Sequence, residues 1–267
     1  MIRVNGRTTD SVSARDRGLA YGDGVFRTLR TEAGQPVWWT DHYAKLAADC
    51  SALMLDCPNQ AELFAEVCQV AETGQGIVKI VLTRGAGARG YALPTEPATT
   101  CIVLASALPQ HAQTFDDIHA RWCTLKLARQ PRLAGIKHLN RLENVLARAE
   151  WDDPAIFEGL LCDDSGAVIS GVMSNVFWVK DSELFTPEVS QCGVAGVARM
   201  RLLRAAARLG IRTHTERFLP TDILAADEAM ICNSVIGVRR LARLDDMTWP
   251  PAGWTTTLNN ALYEDVD

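Results

Sequence analysis

Long apolar runs are missing from this 267-residue chain. No stretch approaches the roughly 20 apolar residues that a membrane-spanning helix needs. The opening MIRVNGRTTD also lacks the apolar core of a secretory signal. Neither a membrane span nor a signal peptide is expected. Paired cysteine motifs are missing too. Cys50, Cys57, Cys68, Cys101, Cys123, Cys162, Cys192 and Cys232 form no CxxC and have no histidine at ligand spacing, which excludes a zinc ribbon and leaves no metal site to propose. Several lie in apolar runs and read as buried free thiols in a reducing compartment, so a cytoplasmic protein is expected. Histidine is scarce, and no Ser/His/Asp or Cys/His arrangement can be argued from the spacing. A basic field is absent: the net charge of −5 argues against nucleic acid as the main partner. Lysine is rare as well, with Lys45, Lys79, Lys126, Lys137 and Lys180 among 27 basic residues. There is no internal repeat and no low-complexity tract.

What is present is an ordinary soluble globular composition, 48% apolar and 22% charged. The length suits one large domain or two medium ones. Ile2–Val4 and the Asn5-Gly6 pair predict a strand and hairpin turn, with a second strand around Ser11–Ser13. Thr40 or Asp41 is expected to cap a helix to about Met54, and Asn59 a second helix through Thr73. Ile77–Thr83, Thr100–Ala105 and Ile118–Arg129 read as strands. Beyond them, Glu158–Cys162, Ala167–Ile169, Asn175–Lys180, Leu184–Thr186, Thr213–Glu216 and Ala229–Cys232 read as shorter ones. A helix follows Gly196 and stops at Gly210, Thr221-Asp222 can cap a short one, and the last lies near Leu258–Glu264. Polar residues and Pro109 interrupt the periodicity at Leu108–Gln113. The expected organisation is a smaller N-terminal α/β lobe over 1–110, a linker over 111–117 and a larger lobe over 118–267. Mixed rather than alternating elements point to an α+β fold of two α/β lobes.

The stretch GIKHLNRLENVLARAE places Lys137 on a short loop before an amphipathic helix, with Leu139, Leu142, Val145 and Leu146 at helical spacing. An amine held there can be buried and used, although most lysines are solvated. GAGARG at 85–90 matches GxGxxG after a strand, but the following Tyr-Ala-Leu-Pro cannot open a helix, so a dinucleotide site is rejected. A flexible loop carrying Arg84, Arg89 and Tyr91 to an anionic substrate is the alternative to a plain surface loop. GVAGVAR at 193–199 opens a helix with small residues and accessible N–H groups, which favours an anion. Asn233-Ser234 after a strand offers further donors, or an Asx turn. Asp23, between two glycines, reads as a turn residue. His138 reads as packing or capping.

In combination these segments resemble a known family. The order DRGLAYGDGVFRTLR, HYAKL, TRGAGARGY, GIKHLNRLENVLAR, SNVFW, AGVAR, ICNS is similar to the fold-type IV pyridoxal-phosphate enzymes, which include branched-chain and D-amino-acid transaminases. KHLNRLE and RGAGARGY are closest to the aminodeoxychorismate lyases of folate synthesis. The resemblance runs from Met1 to about Arg243. It implies two lobes with pyridoxal 5′-phosphate between them and a homodimer. By family position Lys137 is the Schiff-base lysine. Gly196, Val197, Ala198 and Ser234 hold the phosphate, with Asn233 adjacent. HYAKL resembles an HxxRL pattern in which arginine grips the phosphate, and here Lys45 stands in its place. Ser170 stands where the family usually has a glutamate that keeps the pyridine nitrogen protonated, so a weaker electron sink is implied.

The activity implied is PLP-dependent elimination converting 4-amino-4-deoxychorismate to 4-aminobenzoate and pyruvate, with Lys137 as base and acid and Arg89 and Tyr91 at the substrate carboxylates. A transaminase of the same fold and a non-catalytic cofactor-binding homologue are the alternatives.

Overall fold

The computed structural model describes all residues except 72–73, 97, 115–116 and 265–267. Two compact units are present: Met1–Gln110 with Ile136–Asn140, and His111–Gly135 with the chain from Arg141 onward.

The first unit is built on β1 (Ile2–Val4), β2 (Arg7–Thr8), α1 (Arg17–Tyr21), β3 (Gly24–Glu32), β4 (Gln35–Pro36), α2 (Trp39–Ala52), α3 (Gln60–Val70), β5 (Gly76–Thr83) and β6 (Thr100–Ala107). Its antiparallel sheet runs β2-β1-β6-β5-β3-β4. The period-2 pattern decides which side packs. Val25, Leu29, Val78, Ile80, Leu82 and Val103 are buried from the sheet, and Leu46, Cys50, Leu63, Val67 and Val70 meet them from α2 and α3. Arg27 points to the same packed side as Val25 and Leu29 and is itself buried, so a charge sits within this core.

Local expectations shift in three places. The second strand is Arg7–Thr8 rather than Ser11–Ser13, because Asn5 and Gly6, both at positive φ, reverse the chain at once. α2 starts after Trp38, a tryptophan at φ 57°, and not at a Thr40 or Asp41 cap. Asn59 does cap α3, its Oδ1 accepting from the Ala61 amide at 2.9 Å. α3 ends at Val70 rather than running through Thr73, because Ala71 is already extended at ψ 136°; residues 72–73 lie outside the described residues.

The second unit contains β7 (Ile118–Leu127), α4 (Leu142–Arg148), β8 (Glu158–Asp163), β9 (Val168–Gly171), β10 (Asn175–Lys180), β11 (Glu183–Pro187), α5 (Val197–Arg208), β12 (Thr213–Glu216), α6 (Pro220–Leu224), β13 (Glu228–Asn233), β14 (Gly237–Leu244), β15 (Met247–Thr248) and α7 (Trp254–Tyr263). Its mixed sheet runs β12-β11-β10-β13-β14-β7-β8-β9, with β15 on β14. β8, β10 and β13 are buried along nearly their whole length, matching their continuous apolar character. β14 was not anticipated. Its VRRLARL pattern hides a strand behind arginines, of which Arg240 pairs with Asp117 and Arg239 donates to the Ala112 carbonyl at 3.3 Å. The apolar stripe of α4 does not face a core: Leu142, Val145 and Leu146 are exposed, and Ala147 is the residue it buries.

Candidate active site

Ile136–Asn140 lies as an extended edge along β3. The Phe26 amide donates to the Lys137 carbonyl at 2.9 Å, the Leu139 amide donates to the Gly24 carbonyl at 3.0 Å, and His138 bridges Val25 in antiparallel register. Alternation then sends Ile136 into the core, with Lys137 half-buried on the other side. Its Nζ lies 4.6 Å from the centroid of the Phe26 ring. A second ammonium shares that ring, the Lys79 Nζ at 5.0 Å. A ring face attracts such a cation by about 0.5–2 kcal/mol. Lys79 was not singled out from sequence. Its place on β5, two strand positions before Val81, which faces Phe26, was the available signal.

Below this, the Lys137 amide donates to Asp49 Oδ2 at 3.2 Å. Asp49 is buried on α2, where it pairs with the Arg27 guanidinium through Oδ2 and with the Lys45 ammonium through Oδ1. Burial pushes the Lys45 pKa down and the Arg27 charge adds to this, while Asp49 opposes both. Arg27 is likewise pushed down by burial and held up by Asp49. Two cations thus share one carboxylate. Sequence reasoning found Lys45 and Lys137 and missed Arg27 and Asp49.

The 84–96 loop is tied down rather than loose. The Arg17 guanidinium donates to the Gly90 carbonyl at 2.9 Å and the Ala92 carbonyl at 3.3 Å. The Gly90 amide donates to the Tyr21 hydroxyl at 3.2 Å, and the Tyr21 and Tyr91 rings lie 5.3 Å apart. Arg89 and Tyr91 are exposed on it. Asp23 is more than a turn residue. Its carboxylate accepts from Arg17 Nε and Arg84 Nε, each at 2.9 Å, and from Arg84 Nη2 at 3.0 Å. Gly85 sits at φ 77° with the Ala98 carbonyl where a Cβ would go, so this glycine serves a turn, and no helix follows it.

In the second unit, Ser170 is buried on β9, paired with Leu161 of β8. The buried carboxylate of this hairpin, Glu158, is already engaged. It accepts from the Ser174 hydroxyl at 2.7 Å and from the amides of Gly159, Val172 and Met173 at 3.0, 3.1 and 3.3 Å. Burial raises its pKa, against which these donors act. Gly196 caps α5 with no side-chain cap bond, so the first amides of Val197 and Ala198 are not taken by their own cap residue. A Cβ at Gly196 would overlap Asn175 Oδ1. Asn233 forms the Asx turn: its Oδ1 accepts from the Val235 and Ile236 amides at 2.8 and 3.0 Å, and its Nδ2 donates to the Met173 carbonyl at 3.2 Å. Its side chain is therefore spent on the turn that presents the half-buried Ser234. Among the described residues no group of three or more His, Cys, Asp or Glu side chains is arranged to hold a metal ion.

The lysine on an edge strand, the shared-carboxylate cations and the uncapped helix start sit within a family pattern that spans the chain. Amino-transferase class IV matches residues 24–244, and the chain belongs to that family. The chain is similar to the aminodeoxychorismate lyase of Vibrio harveyi, 35% identical over 242 residues and 89% of each chain. The 4-amino-4-deoxychorismate lyase structure from Pseudomonas aeruginosa superposes with a TM-score of 0.93, 40% identity and full coverage of both chains. A D-alanine aminotransferase of Bacillus licheniformis is 26% identical over 280 residues, covering 99% of this chain and 95% of its own. The fold is that of the fold-type IV enzymes.

Proposed function

We propose that this chain is a pyridoxal-phosphate-dependent lyase that converts 4-amino-4-deoxychorismate to 4-aminobenzoate and pyruvate. The observation that carries the reading is Lys137, whose carbonyl accepts from the Phe26 amide of β3 and whose amide donates to Asp49, with its ammonium against Phe26 and Lys45 bound to the same Asp49. The two lyase relatives, at 35% and 40% identity over nearly the whole chain, support the substrate.

The residues fit a phosphorylated cofactor. The cluster brings Arg27 and Lys45 to one carboxylate, and Arg27 Nε is buried without a hydrogen-bond partner. α5 begins on a glycine that contributes no side-chain cap. Lys137 would bind the cofactor covalently, Lys45 would take its phosphate, and Gly196, Val197, Ala198 and Ser234 are the second unit's donors, with Asn233 shaping the turn. Bound pyridoxal phosphate supplies an electron sink for charge developing next to the substrate amine.

This chain's own groups do the proton work. The Lys137 amine would remove the proton from C4 of the substrate and then donate one to the departing enolpyruvyl group. Loss of that group makes the ring aromatic, which drives the reaction. Lys79, whose ammonium lies against the same Phe26 ring as that of Lys137, and the exposed Arg89 and Tyr91 are the candidates for the substrate's two carboxylates. Ser170 supplies a hydroxyl where a carboxylate would enforce protonation of the pyridine nitrogen, and Glu158, committed to its four donors, does not replace it. A weaker sink favours rapid expulsion of a leaving group over transamination.

The exposed Leu142, Val145 and Leu146 support a homodimer, since a contiguous apolar helix face is suited to a second copy. No helix among the described residues is long and apolar enough to cross a membrane. Eight free cysteines, six of them buried, support a reducing cytoplasmic location. The test is incubation of the purified chain with 4-amino-4-deoxychorismate while 4-aminobenzoate fluorescence and pyruvate are followed together. Equal release of both supports the reading. Keto-acid-dependent amino transfer without 4-aminobenzoate would replace it with a transaminase.

A further inference from the structure

We propose that Asp49 is a positioning residue that turns a flexible lysine into a fixed phosphate-binding charge. The inference rests on the pyridoxal-phosphate reading above. A lysine ammonium is a compact point charge on a four-carbon stem, whereas an arginine presents a rigid fork. Lys45 therefore brings charge without direction unless something holds it. Asp49 does so from one turn further along α2, with Oδ1 on the Lys45 ammonium. Its other oxygen is taken by Arg27 from β3, which is buried in the unit's core. That same Oδ2 accepts from the Lys137 amide at 3.2 Å. One carboxylate thus fixes the phosphate-binding cation and the peptide of the cofactor-binding lysine relative to each other. Arg27 has a distinct part: from the core side of β3 it takes the other oxygen of Asp49 and so anchors the carboxylate.

The arrangement makes a prediction whose sign separates positioning from simple charge balance. If Asp49 only neutralised the cations, removing its charge would strengthen anion binding. If it positions Lys45, removing it weakens the preference for a phosphate-bearing ligand. The experiment compares binding of pyridoxal 5′-phosphate with binding of pyridoxal, by absorbance titration of the full-length chain, and records the melting temperature of each variant. The variants are Asp49→Asn, Arg27→Met with Asp49→Leu, Lys45→Arg, and Asp49→Asn with Lys45→Arg. The Met/Leu pair replaces the buried ion pair by apolar groups of similar volume, a change cores usually tolerate, so it decides the matter if Asp49→Asn does not fold.

The expected result is near wild-type binding of pyridoxal with a loss of about tenfold or more in preference for the phosphate form, in keeping with loss of a charged hydrogen bond. Lys45→Arg should restore that preference in the Asp49→Asn background, because a fork needs no clamp. An unchanged or increased phosphate preference in the folded variants overturns the proposal, as does failure of Lys45→Arg to rescue it. Wild-type chain that binds pyridoxal and its phosphate equally also overturns it while sparing the cofactor reading. Wild-type chain that binds neither overturns both.

Discussion

Replacing Asp23 by asparagine keeps the shape of the side chain and removes the charge that Arg17 and Arg84 share. In the native chain its two oxygens accept three guanidinium hydrogen bonds at 2.9–3.0 Å, and both arginines are buried, 4% and 5% exposed. The asparagine amide turns donors toward donors, so at least one bond is lost and two buried cations lose their counter-ion. Breaking a buried pair costs about 3–5 kcal/mol. Arg84 retains bonds to the Leu53 and Met54 carbonyls, and Arg17 retains those to Gly90 and Ala92, which places the cost near the lower end. A loss of about 3 kcal/mol lowers the melting temperature of a chain this size by roughly 6–12 °C. Burial by itself would raise the Asp23 pKa, but the hydrogen bonds and charges of Arg84 and Arg17 together outweigh it and hold the carboxyl below its usual value. A depressed carboxylate stabilises the fold at pH above its ordinary pKa, and that stabilisation disappears as pH falls through the folded-state pKa. The gap between wild type and Asp23→Asn should therefore be full at about pH 7 and shrink below about pH 4, as read by circular-dichroism melting. Trypsin cleavage after Arg89 should accelerate in the variant, because Arg17, which bonds the carbonyls of that loop, loses the Asp23 carboxylate that fixes its guanidinium. An equal gap at both pH values, or no gap, would refute the reasoning.

Lys137→Ala should abolish borohydride-fixed cofactor mass, while Lys126→Ala, on β7, should retain it, as checked by mass spectrometry of the intact chain. Ser170→Glu should raise keto-acid-dependent amino transfer relative to 4-aminobenzoate release by about tenfold, a modest electronic gain of some 1.4 kcal/mol; an unchanged ratio counts against a tuning role. Alkylation of the native chain near neutral pH should reach Cys57 before any other thiol. The Cys50 hydrogen bond lowers its pKa, whereas burial pushes Cys101, Cys123, Cys192 and Cys232 up to about 12. Peptide mapping with early modification of Cys232 would contradict this order. Glu158→Gln should destabilise by about 2–4 kcal/mol, since an amide cannot accept from all four donors, measurable as a lower urea midpoint.

Elements with strong local periodicity were readable directly. IVKIVLT became β5 and NVFWVK became β10 because each carries its own burial pattern. β14 was not, because three arginines in VRRLARL mask the alternation and find partners far along the chain, as Arg240 does with Asp117. The start of α2 was misplaced because a tryptophan at positive φ has no local signature. Lys137 and Lys45 stood out through their motifs, and the helix start at Gly196 through its small residues. Arg27 and Asp49 did not, since an arginine inside a strand and an aspartate late in a helix look like surface residues until folding puts both against the same core. The same holds for Asp23, whose two arginine partners lie 6 and 61 positions away.

The chain leaves the second unit after Gly135, lays Ile136–Asn140 against β3, and returns at Arg141. The amine-bearing peptide is thus an insert donated to the first unit by a later part of the gene. A fragment cut after Gln110 would carry Lys45, Asp49 and Arg27 but leave the Phe26 amide and the Gly24 carbonyl of β3 without their partners. The reciprocal fragment would carry the lysine with nothing to orient it. The gene therefore has no single break point that separates a cofactor module from a scaffold module. Recombination or fusion that respects only the boundary near residue 110 should yield proteins that fold in part and hold no chemistry.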